Sequence, residues 1–68
     1  MKRNEKMFKR RIEKGLTHYD LKDISGVSRP VISKIESGDI EFVKVNTLRK
    51  IAKALDYTVA ELFFSEEQ

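Results

Sequence analysis

Residues 15–38, GLTHYDLKDISGVSRPVISKIESG, decide the fold of this chain. They hold two short helical patterns, each opening on a hydroxyl residue, with Gly26 between them. Thr17 stands before the first pattern and Asp20 follows three residues later. This is a variant of the capping box, in which each side chain satisfies a free backbone N–H at the helix start. The pattern ends near Ser25, and Gly26 supplies a tight turn. Ser28 occupies the N-cap position of the second pattern. Pro30 falls in its first turn, where a missing N–H costs little, and Gly38 ends it. Leu21, Ile24, Val27, Ile32 and Ile35 are the apolar positions expected to pack the second of these helices across the first.

Upstream, the spacing predicts a helix from about Asn4 to Lys14, stopped by Gly15, with thin apolar content in Met7, Phe8 and Ile12. Downstream, Asp39 to Lys44 forms a loop containing Ile40, Phe42 and Val43. Its alternation admits a short strand, but an apolar loop tucked under the domain or against a second subunit is expected instead. From about Val45 to Leu55 the residues Leu48, Ile51, Ala52 and Leu55 fall at i, i+3, i+4 and i+7, one buried helix face. Arg49, Lys50 and Lys53 lie off that face. A short fifth helix is capped by Thr58, with Glu61 closing a second capping box and Leu62 and Phe63 turned to the core. Phe64 and an acidic tail, 65–68, follow. The expected fold is all-α: a five-helix bundle, formed by residues 1–68 as a single domain.

At 68 residues there is room for only a marginal core. The chain has no Cys, which excludes a disulfide staple, a zinc–thiolate cluster and thiol chemistry, and fits a cytoplasmic setting. No apolar run approaches membrane-spanning length, and no signal-peptide core follows the basic start. The net charge of +3 is unevenly spread. Lys2, Arg3, Lys6, Lys9, Arg10, Arg11 and Lys14 crowd the first segment, whereas Glu61, Glu66 and Glu67 make the other end acidic. A basic end attracts a polyanion; for Lys2, Arg3 and Lys6 a solvated helix face is the simpler reading. His18 is the sole histidine and lacks the companions a metal site needs. No nucleophile–base set, carboxylate pair or phosphate-cradling glycine loop is present, so neither catalysis nor a cofactor is expected.

Two short helices crossing at a glycine turn make a helix-turn-helix, whose second helix enters the DNA major groove. Together with TLRKIAKALDYTVAELF, the central stretch closely resembles the lambda-repressor-like DNA-binding domains, the Cro/repressor or XRE family, over Met7 to Phe64. The resemblance implies a transcriptional regulator that inserts helix 29–37 into the major groove of double-stranded DNA. It also implies a near-palindromic operator and a two-fold symmetric homodimer, in a bacterium or a phage-infected cell. His18 falls where the family touches a backbone phosphate. Arg29 and Pro30 open the recognition helix, where side chains reach base edges, Ser28 before them is counted among the DNA-binding positions, and Ser33 and Lys34 lie one turn on. Ser37 and Lys44 match positions that touch phosphate. Arg11 and Glu36 match an ion pair tying the first helix to the third.

The residue types bear on these roles. Arg29 can donate two parallel hydrogen bonds to guanine O6 and N7, or meet a phosphate. Pro30 can touch a thymine methyl or merely start the helix. Lys34 suits phosphate or guanine. His18 lies at the positive end of a helix dipole, which already favours a phosphate. Antitoxins of the same family use the fold to cover a partner toxin, so a protein-interaction module is the second reading, with Phe42 and Phe64 as candidate dimer or partner contacts. Two departures from the family pattern stand out. Lys22 replaces a small residue where the two helices cross, and Asp56 replaces the Gly or Asn that usually follows the fourth helix.

Overall fold

The computed structural model describes residues 3–64; the acidic tail, 65–68, and Lys2 lie outside the described residues. Four α-helices follow one another: α1 (Glu5–Glu13), α2 (His18–Ser25), α3 (Arg29–Glu36) and α4 (Val45–Ala54). A single wide π-helical turn, Ala60–Phe64, completes the chain. Among the described residues there is no strand. The 39–44 segment is a run of turns in which Val43 N–H donates to the Ile40 carbonyl. Ile40 and Val43 pack against the core, whereas Phe42 is 84% exposed.

Each helix starts and stops for a local reason. The Asn4 side chain accepts from Met7 N–H at the start of α1. Thr17 and Asp20 make both bonds of the capping box at α2, and Thr58 and Glu61 make the same reciprocal pair before the last turn. Ser28 holds the N-cap position of α3 with extended backbone, but its hydroxyl makes no capping bond. Pro30 removes one of the N–H groups that such a cap would serve. Helix α4 ends in the paired Schellman bonds, Tyr57 N–H to the Ala52 carbonyl and Asp56 N–H to the Lys53 carbonyl. That motif puts Asp56 at φ 62°, in the left-handed region where an L side chain is strained. A 2.8 Å ion pair from the Lys14 ammonium to Asp56 offsets this and ties α1 to the end of α4. The Lys14 hydrogen bond and charge also hold the Asp56 carboxyl below its ordinary range.

The core is a cluster of Met7, Leu21, Val27, Ile32, Ile35, Leu48, Ile51, Ala52, Leu55 and Leu62. Phe63 is half-buried against it. One expected member is absent: Ile24 is 57% exposed. The inward position one turn after Leu21 belongs to Ser25, whose hydroxyl donates to the Leu21 carbonyl at 2.7 Å. Ile24 instead lies beside Lys50, Lys53 and Ala54 at the rim of α4. Lys22 is also exposed, which leaves its ammonium in water.

Candidate nucleic-acid interface

The period of α3 divides its side chains cleanly. Ile32, Ile35 and Glu36 are buried at i, i+3 and i+4, which leaves Arg29, Pro30, Ser33, Lys34 and Ser37 on the outer surface. An eight-residue helix is about 12 Å long, so these groups form one short stripe on a rigid rod. Gly26, at φ 78°, sets the corner from which the rod projects. From α2, His18 adjoins this stripe and shares a shallow surface with Arg29, Pro30 and Ser33.

Behind the stripe lies a buried ion pair. Arg11 Nε and Nη2 donate to the two Glu36 carboxylate oxygens at 2.8 and 3.0 Å. A further guanidinium N–H reaches the Leu16 carbonyl at 2.8 Å. His18 Nε2 lies 3.3 Å from Glu36 Oε1. Burial pushes the Glu36 carboxyl upward, but the hydrogen bonds and charge of Arg11, with those of His18 behind them, outweigh it and hold the carboxyl below its ordinary value. One carboxylate of α3 is thus tied to α1 and α2 together. No buried side-chain nitrogen or oxygen among the described residues lacks a hydrogen-bond partner.

The predicted residues differ in what they still have to offer. Among the described residues Arg29, Lys34 and Lys44 pair with no carboxylate. Lys44 is exposed at the N-cap of α4. The uncapped Ser28 hydroxyl is free, and Ser33 is exposed. Ser37 is committed: its hydroxyl donates to the Lys34 carbonyl at 2.7 Å and its N–H to the Ser33 carbonyl. Phe42 and Phe64 are both exposed, at 84% and 61%, away from the core.

Two features were missed by reading the sequence. The Arg29 guanidinium lies 4.0 Å from the centroid of the Tyr19 ring, a stack between residues of different helices that no local spacing announces. The cations of the basic first segment also find partners within the protein. Arg10 donates to the Leu55 carbonyl at 2.7 Å and lies 4.2 Å from the Tyr57 ring centre. Lys6 donates to the Glu61 carbonyl at 3.0 Å. With Arg3 paired to Glu5 and stacked 3.9 Å from the Phe8 ring, most of these cations bind this protein's own groups.

Two short helices, α2 and α3, joined at the Gly26 turn make this a helix-turn-helix protein. A family model described as helix-turn-helix matches residues 7–62. The chain belongs to that family, the XRE-type, lambda-repressor-like helix-turn-helix regulators. No curated protein matched it. Among the described residues no helix is long and apolar enough to cross a membrane, and no group of His, Cys, Asp or Glu is placed to hold a metal.

Proposed function

We propose that the chain is a sequence-specific transcriptional regulator of the Cro-like or XRE controller type, acting in the cytoplasm as one helix-turn-helix unit, with α3 seated in the major groove. The observation that carries this reading is the stripe on α3, where Arg29 and Lys34 stand exposed and unpaired while the helix's opposite face is locked into the core. In this reading Arg29 reads a guanine edge, Pro30 and Ser33 line the groove floor, and Lys34 serves a base or a phosphate. Ser28 and Lys44 bind the flanking phosphates, and His18 does so through Nδ1, its Nε2 lying 3.3 Å from Glu36. Ser37 joins them only by turning its hydroxyl off the Lys34 carbonyl.

A homodimer built through Phe42 or Phe64 would set two copies of α3 about 34 Å apart and read a near-palindrome. The exposure of these two aromatics also favours a second reading, an antitoxin-type module that covers a protein partner and controls its own promoter. A small toxin encoded in the adjacent gene would favour that one.

The test is selection of bound sites from random DNA by the purified protein. A two-fold symmetric motif with half-sites one turn apart is the expected result, and enrichment of no motif would end the reading. Arg29→Ala is expected to relax preference at a single base pair of each half-site, at a cost of about 1–3 kcal/mol on the best sequence. If it weakens binding evenly on all sequences, Arg29 is a phosphate contact.

A further inference from the structure

Tyr19 is 62% exposed on α2, so core packing does not account for it. Its ring face is covered instead by the guanidinium of Arg29, the first residue of α3, across the Gly26 turn. Two properties of this contact bear on recognition. A guanidinium held over a ring face by the ring quadrupole can keep N–H donors free at its edge. That edge is what forms the bidentate pair with guanine O6 and N7. A free arginine side chain also surrenders rotamer freedom when it is fixed on a base, and a ring that restrains it beforehand lowers that cost. The neighbouring groups do not compete: His18 is turned to Glu36, and no carboxylate draws Arg29 away.

Resting on the reading of Arg29 as a base contact, we infer that Tyr19 is a positioning residue. It holds the Arg29 guanidinium edge-on to the groove and so sets how strictly one base pair is discriminated.

The test compares Tyr19→Phe, Tyr19→Leu, Arg29→Ala and the double variant Tyr19→Leu/Arg29→Ala with the unmodified protein. In the free protein, NMR of the Arg29 δ-methylene and Nε–H reads the ring-current shift. The upfield shift is expected to persist in Tyr19→Phe and to vanish in Tyr19→Leu. On DNA, affinities are measured for the selected operator and for its variants at each base pair. Tyr19→Phe is expected to match the unmodified protein. Tyr19→Leu is expected to bind the best site about two- to fivefold more weakly and to lose discrimination at the Arg29 base pair alone. Once Arg29 is Ala, removing the ring is expected to have no further effect. Thermal midpoints of the Tyr19 variants are expected to stay put.

The proposal is overturned if Tyr19→Leu weakens all sequences alike, if Tyr19→Phe loses as much as Tyr19→Leu (a hydroxyl on phosphate), or if the two losses simply add. An Arg29→Ala effect spread evenly over every sequence would instead defeat the base-contact reading beneath it. In that case the ring-current shift would still report the stack in the free protein.

Discussion

A carboxylate on the inner face of α3 is costly to keep there, and Glu36 is tolerated only because two bonds from Arg11 and one contact from His18 answer it. Such a pair adds little over a well-packed apolar pair, but removing one partner strands the other charge. Glu36→Ala is therefore expected to lower stability by roughly 3 kcal/mol, a large share of what a domain this size holds. Urea denaturation measures it, and an unmoved midpoint would show the pair to be idle. The pH dependence has a definite sign. The folded-state carboxyl titrates below its ordinary value of 4.5, so its stabilisation is complete above that pH. It is lost as the pH falls through the folded-state value. The unmodified protein is expected to lose stability in acid more steeply than Glu36→Gln, and parallel pH curves for the two would count against this account.

Among the elements, the turn between α2 and α3 offers the simplest test. Gly26 stands at φ 78° with no atom within 4 Å of where a Cβ would be. Gly26→Ala should thus cost only backbone strain, about 1–2 kcal/mol, and leave the DNA motif unchanged. A shifted motif would mean that the turn angle itself has moved. Much at this scale was legible in the sequence. The capping pairs at Thr17 and Thr58 and the 48–51–52–55 face follow from spacing alone, because each is set within one or two helical turns. Ile24 was not legible. Its hydrophobicity marks it for burial, but α2 is only eight residues long and the inward position went to Ser25. Lys22, expected to keep its ammonium in water, is exposed.

For the molecule as a whole, the distribution of charge matters more than the net +3. By count alone the first segment is the most basic part of the chain. The folded chain spends Arg10, Arg11 and Lys14 on Leu55, Glu36 and Asp56. Among the described residues Arg29, Lys34 and Lys44 have no carboxylate partner, and neither do Lys9, Lys22, Arg49, Lys50 and Lys53. The stripe on α3 was legible because a helix repeats predictably, whereas these long-range pairings depend on how helices distant in sequence come together. The same is true of Tyr19 and Arg29. Salt titration separates the two groups of cations. Lys44→Ala is expected to make the log–log salt dependence of operator binding shallower by about 0.9, one phosphate's worth. Lys14→Ala is expected to leave it unchanged. Equal slopes for Lys44→Ala and the unmodified protein would remove Lys44 from the interface.

Asn4 gives the leading residues an unexpected importance. Its backbone N–H grips the Glu36 carbonyl at 2.7 Å, its carboxamide oxygen starts α1, and its amide nitrogen reaches the Leu62 carbonyl at 3.1 Å. Anyone trimming the front of the chain to aid expression would therefore undo the start of α1 and two distant ties, to Glu36 and Leu62, at once. Shortened or retagged versions ought to be checked for operator binding before being trusted as stand-ins.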